Sequence, residues 1–212
     1  MSEIELRPEL DPNLEKYTGP DAPQPEEGKR PEVIVYAGPN GSGKTTITKY
    51  AKVIDPYINA DDIKKILNID AMEAALTAEK MREEALSRNI GFTFETVLST
   101  ERNLNLLRRA KEAGYFVRCI YVLTADPEIN VMRVASRAQS GGHDVPEDKI
   151  RSRYEKSLAQ IPPLIETCDV IHVYDNTDTP FRIFKKRKEE YFFWESPDWT
   201  MEEIEELTGV KA

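Results

Sequence analysis

The run Gly38-Pro39-Asn40-Gly41-Ser42-Gly43-Lys44-Thr45-Thr46 constrains this chain more than any other stretch. Its spacing is that of the P-loop, whose backbone amides cradle nucleotide phosphates. Such a loop works only between a buried strand and a helix, and both flanks fit. Glu32-Val33-Ile34-Val35-Tyr36 is a β-branched apolar run of buried-strand type, and Ile47-Thr48-Lys49-Tyr50-Ala51 has helical composition. Glycines let the loop aim its N–H groups inward, and the helix N-terminus adds a partial positive charge there. Gly38, Asn40, Gly41, Ser42, Gly43, Lys44, Thr45 and Thr46 are therefore expected to hold ATP. In that arrangement Lys44 reaches the β- and γ-phosphates and Thr45 ligates Mg²⁺.

The 212 residues predict one domain with appendages, and the net charge of −9 argues against a general nucleic-acid binder. Part of that charge is local. Residues 1–30 carry eight acids (Glu3, Glu5, Glu9, Asp11, Glu15, Asp21, Glu26, Glu27) against four bases, with five prolines and little hydrophobic periodicity. They read as an arm that Leu6, Leu10, Leu14 and Tyr17 could dock. No apolar run approaches the roughly 20 residues of a membrane span. The acidic N-terminus lacks the basic and apolar regions of a signal peptide. Cys119 and Cys168 lie in apolar segments and are expected to be buried and reduced, as in a cytoplasmic protein.

From residue 31 to about 180, strands alternate with helices, which predicts an α/β fold with a parallel sheet and helices on both faces. Strands are expected at Val33 to Tyr36, Tyr57 to Asn59, Gly91 to Glu95, Phe116 to Leu123 and Val170 to Tyr174. Helices are expected from near Asp61, from Ala71 to Asn89, and from Glu101 to Ala113 with Gly114 as the stop. Asp126-Pro127-Glu128 opens a helix to about Arg137, with Asp126 as its cap. Gly141-Gly142 breaks it, and a second helix runs to about Gln160. Residues 181–212 read as a C-terminal hairpin and helix. Phe181 to Phe184 and Tyr191 to Trp194 are its strands, Lys185-Lys186-Arg187-Lys188 its solvated end, and Thr200 with Glu203 a capping box.

Several P-loop classes are excluded by what does not follow. There is no Asn-Lys-x-Asp guanine-reading motif, and no strand ends in the acidic pair of transporter-type or helicase-type ATPases. A small-molecule kinase fits best. Asn59-Ala60-Asp61-Asp62 puts acids at the C-terminal end of the second strand, the edge where open α/β sheets bind ligands. One acid is expected to cap the helix. The other, Asp61, is expected to orient the attacking hydroxyl and take its proton late. Glu95, flanked by Phe94 and Thr96 at the end of the third strand, is the candidate for acceptor hydroxyls or water-mediated Mg²⁺, and Glu95 and Thr96 are assigned to substrate. Arg133, Arg137, Arg151 and Arg153 flank the Gly-Gly break. Arg133 and Arg137 share a helical face, from which a lid over about residues 130–160 could reach the γ-phosphate. Asn176, in the turn after the fifth strand, could read the adenine edge or only build the turn. The alternative to transfer is a nucleotide-binding regulatory or scaffold protein.

Taken in order, Ala37 through Thr46, Ile58-Asn59-Ala60-Asp61-Asp62-Ile63, Phe94-Glu95-Thr96-Val97-Leu98-Ser99, Arg137 through Gly141-Gly142-His143-Asp144-Val145-Pro146 to Arg153-Tyr154, and Tyr174-Asp175-Asn176 resemble the zeta toxin family of P-loop kinases. The resemblance implies ATP- and Mg²⁺-dependent phosphorylation of the 3′-hydroxyl of UDP-N-acetylglucosamine and a paired antitoxin that blocks the site. It makes Asp61 the base, Glu95 the acceptor-binding glutamate, and Arg133 or Arg137 the first lid arginine. Two departures point to a divergent branch. Thr96-Val97-Leu98-Ser99 stands where the better-known toxins carry Gly-Thr-Gly-Arg, and the second lid arginine aligns near His143. The arm could also occlude the nucleotide site in cis, as family antitoxins do.

Overall fold

A computed structural model describes residues 30–48, 51–142 and 144–212. The expectations for the N-terminal arm and for His143 lie outside these residues. Seven strands form one sheet in the order β2-β3-β1-β4-β5-β6-β7. They are β1 (Glu32–Ala37), β2 (Tyr57–Ile58), β3 (Phe92–Thr96), β4 (Phe116–Leu123), β5 (Val170–Asp175), β6 (Phe181–Arg187) and β7 (Glu190–Phe193). The first five are mutually parallel, and β6 and β7 are antiparallel. The helices are α1 (Lys44–Thr48), α2 (Ala60–Leu67), α3 (Ala71–Ser87), α4 (Glu101–Glu112), α5 (Pro127–Gln139), α6 (Glu147–Leu158), α7 (Ile161–Thr167) and α8 (Met201–Thr208). This is the expected α/β fold of P-loop type. None of these helices is long and apolar enough to cross a membrane.

Period-two alternation assigns the two faces of the sheet. Val33, Val35, Val117, Cys119, Tyr121, Ile171 and Val173 point into the main core, against Ala74, Ala78, Leu104, Leu107, Ile161 and Leu164 of α3, α4 and α7. On the other face Ile34 pairs in register with Arg118, and Tyr36 with Ile120. There Tyr36 donates to the Lys52 carbonyl at 2.7 Å, so the segment after α1 covers the β1 side. Both cysteines are buried and free.

Local chemistry explains the boundaries. Asp126 caps α5 by accepting from Glu128 N, with Pro127 at the first helical position. Thr200 and Glu203 form the expected capping box. Gly114, at φ +89°, ends α4.

Three expectations need correction. The helix expected to reach Gln160 stops at Leu158, and Pro162-Pro163 restarts the chain as α7, because prolines suit a first turn and not an interior. The C-terminal hairpin extends the main sheet through β5–β6 pairing, so it is continuous with the core. The basic run is only in part its solvated end: Arg187 and Lys188 are exposed at the turn, but Lys185 and Lys186 lie inside β6. Lys186 is buried, its ammonium donating to the Ile165 carbonyl of α7 at 2.5 Å.

Candidate functional site

The phosphate-binding loop follows β1 at the C-terminal edge of the parallel strands, and its neighbours fill every space that a side chain would need. Gly38 has φ +139°, and a Cβ there would run into the Val122 carbonyl of β4. A Cβ on Gly43, at φ +94°, would strike the Asn176 amide. Two asparagines brace the loop. Asn176 Nδ2 donates to Ser42 O at 2.7 Å, and Asn130 Nδ2, from the fully buried Asn130 of α5, donates to Asn40 O at 2.7 Å. Asn130 in turn accepts from the Thr124 hydroxyl. Asn176 therefore commits its donor to the loop, and the Asp175-Asn176-Thr177 turn is fixed by Thr177 donating to Asp175 Oδ1 at 2.7 Å. Sequence reasoning missed Asn130; nothing in its helical context marks it.

Lys44 opens α1, and its ammonium donates to the carbonyls of Gly38 (2.7 Å) and Pro39 (2.9 Å). Burial pushes its pKa down to about 8; Glu95 and Asp61 work the other way, and Arg137 reinforces the depression. Four of the charged residues singled out from the sequence thus share one electrostatic neighbourhood.

Glu95 is the hub of this site. Its Oε2 accepts from Thr45 Oγ1 at 3.2 Å. Its Oε1 accepts from the Tyr57 hydroxyl at 2.6 Å and from Thr48 Oγ1 at 2.9 Å. Tyr57 in turn accepts from Asn59 Nδ2 at 3.2 Å, while Asn59 Oδ1 accepts from Asp61 N at 2.9 Å. A continuous relay therefore ties the first turn of α2 to the end of β3. It also corrects an expectation: Asn59, not one of the two aspartates, caps α2, which leaves both Asp61 and Asp62 in its first turn. Burial raises the Asp62 carboxyl above its ordinary value; Lys65 opposes this, and Glu95 and Asp61 add to it. Tyr57 and Thr48 were not foreseen. Thr48 lies one helical turn beyond Thr45, a spacing that could have revealed it.

The remaining candidates divide. Thr96 Oγ1 accepts from Leu98 N (3.0 Å) and Asn103 Nδ2 (2.7 Å), so it builds the turn after β3, where the buried Leu98 takes φ +55°. Arg133 donates to Thr177 O at 2.7 Å. Arg151 lies in ion pairs with Glu128 (2.7 Å) and Glu147 (3.1 Å). The α5–α6 pair has its own small core of Val131, Val134, Val145 and Ile150. Gly142 packs on Arg137, so close that a Cβ would lie 2.6 Å from Arg137 Cγ.

A metal or triphosphate can be tested against these atoms. Asn40 Oδ1 and Ser42 Oγ are buried in the loop without a partner. Thr45 and Glu95 offer an adjacent hydroxyl and carboxylate, the hard oxygens that Mg²⁺ prefers. No cluster of three or more acidic, histidine or cysteine side chains suited to a metal occurs among the described residues.

Comparison with known proteins agrees with this geometry. A family model described as Zeta toxin matches residues 16–189. An uncharacterized protein of Haemophilus influenzae is 32% identical over 129 residues, 58% of this chain and 92% of that protein. The structure of the PezAT chromosomal toxin–antitoxin system of Streptococcus pneumoniae is similar at a TM-score of 0.54 and 18% identity, over 74% of this chain and 72% of that one. The AvrRxo1-ORF1:AvrRxo1-ORF2 complex with sulphate ions gives a TM-score of 0.64 at 15% identity, over 78% of this chain. This chain spans 61% of the length of that relative, which has also been solved with ATP (TM-score 0.63, 14% identity). At such identities the structural likenesses establish the fold, and the family model, matched over most of the sequence, establishes more: the chain belongs to the zeta toxin family.

Proposed function

We propose that this chain is an ATP-dependent phosphotransferase that moves the γ-phosphate to a hydroxyl of a small molecule in the cytoplasm. One observation supports the reading. Lys44, whose ammonium donates to the Gly38 and Pro39 carbonyls of the loop, and Glu95, which accepts from Thr45 of the same helix, share one edge of the sheet. Phosphoryl transfer needs positioning and charge compensation more than covalent chemistry, and this edge supplies both.

In this reading the loop amides and Lys44 hold the triphosphate, and Asp61 orients the acceptor hydroxyl. The hydroxyl oxygen attacks the γ-phosphorus, the bond to the β-phosphate oxygen breaks, ADP leaves, and the proton passes to Asp61. Thr45 would hold Mg²⁺, with Glu95 within reach of the ion's water shell; when bound, the ion neutralises charge on the β- and γ-oxygens. Glu95 also faces the acceptor, held in one rotamer by Tyr57, Thr48 and Thr45. Of the two lid arginines, Arg137 contributes its charge at Lys44, and Arg133 donates to Thr177 O in the turn carrying Asn176.

Family membership favours UDP-N-acetylglucosamine as the acceptor and an antitoxin-like protein as partner. Incubating the protein with Mg-ATP and UDP-N-acetylglucosamine, then analysing by mass spectrometry, should yield a phosphorylated sugar nucleotide. Transfer to another hydroxylated metabolite instead would keep the kinase and discard the acceptor. ATP binding without transfer to any of a broad panel would favour a nucleotide-regulated binding protein.

A further inference from the structure

Far from the nucleotide site, the sheet face opposite the main core is only partly covered across β4–β7 by the described residues. A cavity of about 280 Å³ lies there, lined by Phe116, Arg118, Val170, His172, Lys185 and Arg187. No acid lines it. Around it, cations and aromatic rings alternate. Arg118 and Arg30 lie over the Phe116 ring (5.4 and 5.6 Å), Lys185 over Phe192 (5.1 Å) and Arg182 over Trp194 (4.5 Å). Burial first, and then the charges of Arg182, Lys185 and Arg118, push His172 down to about 4. The rings are already overlain by cations, so the unmet chemistry of the face is anionic, not a demand for stacking partners.

The chain reaches this cavity at Arg30. Pro31 O accepts from Phe116 N at 2.8 Å, and Arg30 donates to the carbonyls of Gly114 (2.6 Å) and Tyr115 (2.7 Å). The preceding 29 residues hold all eight acids of the arm and only three bases, Arg7, Lys16 and Lys29. Glu26 and Glu27 stand four and three residues before that anchor, a reach of about 10–14 Å. The β4-to-β6 span is about 10 Å. The tether also gives them a local concentration in the millimolar range.

We propose that the acidic segment of residues 1–29 docks in cis on this cationic face, with Glu26 and Glu27 against Lys185 and Arg187. The anchor lies at the N-terminal ends of β1 and β4, the far end of the strands from the phosphate loop. The acids nearest to it therefore reach the cationic face and not the nucleotide. This inference is independent of the kinase reading.

A zero-length carbodiimide coupling on the full chain tests it, because it joins carboxylates only to amines in contact. The ion pairs Glu32–Lys52 and Lys111–Asp169, each 2.5 Å, serve as internal controls. The expected result is an intramolecular link from Lys185 to Glu26 or Glu27. It should fall roughly tenfold in 1 M salt, where screening shortens to about 3 Å. It should be absent in Lys185→Arg, which keeps the charge and removes the amine. Control links without an arm-to-Lys185 link would overturn the proposal. So would a link formed only between isotopically light and heavy copies, which would make a second chain the occupant. So would saturable binding of a single-stranded oligonucleotide that Lys185→Glu/Arg187→Glu abolishes, with no arm link.

Discussion

The two ends of this sheet handle charge in opposite ways. At the C-terminal edge of the parallel strands, one cation is set among carboxylates and arginine, and Glu95 is held by three hydroxyls. On the face of β4–β7, Arg118 pairs with Glu32, while Lys185 and Arg182 have aromatic rings as close company. The first arrangement is built to position a reacting group, because its members come from α1, β2, α2, β3 and α5. The second has charge without orientation, which suits docking a segment and not chemistry.

The sharpest way to break this contrast is to neutralise one lysine from each region. Lys44→Ala should lower phosphoryl transfer by about 10²-fold or more, since a positioned cation at developing phosphate charge is worth several kcal/mol. Lys185→Met, on the open face, should leave transfer within about twofold. Steady-state rates with Mg-ATP check both.

Within β6 the contrast can be tested one residue apart. Lys186→Met removes the ammonium that donates to the buried Ile165 carbonyl and should cost about 1–3 kcal/mol in urea unfolding. Lys185→Met, at a half-buried position with its ammonium over a ring, should stay within about 0.5 kcal/mol.

Loop bracing comes next. Asn176→Ala frees the Ser42 carbonyl and opens space beside Gly43, and should raise the Kd for ATP about tenfold, the equivalent of one lost hydrogen bond of about 1–1.5 kcal/mol. Isothermal titration would measure it.

The smallest effect is a pH dependence. With Lys44 at about 8 in the free protein, its protonated fraction falls roughly fivefold from pH 8 to 9, and ATP affinity should fall with it. The sign for stability is the reverse. A lysine pKa lowered in the fold penalises the charged form, so Lys44 contributes a stability gain as pH rises from about 8 toward the ordinary value of 10.5. A Lys44→Met variant should show neither trend.

These regions were not equally legible in the amino-acid order. The phosphate loop, Asp61, Glu95 and the arginines sit in local patterns that strand, turn and helix chemistry can read. So do the strand–helix alternation, the Asp126 cap and the Thr200 capping box. What was hidden depends on register or on long-range hydrogen bonds. Lys186 became a buried residue only because β6 pairs with β5 and leans on α7. The restart at Pro162-Pro163 was legible in principle, since paired prolines fit a first turn. Asn59 as the cap was legible too, standing immediately before the helix. Asn130 reaching back 90 residues to the Asn40 carbonyl was not. Nor was the cation-plated face, whose members come from three strands that meet only in the folded sheet.

The most direct test of the central claim is single-turnover transfer of label from γ-labelled ATP to the acceptor, wild type beside Asp61→Asn. The account predicts that Asp61→Asn binds ATP within about twofold of wild type and transfers about 10²–10⁴-fold more slowly, the range for loss of a positioned acid–base group. Transfer at the wild-type rate by Asp61→Asn would contradict it.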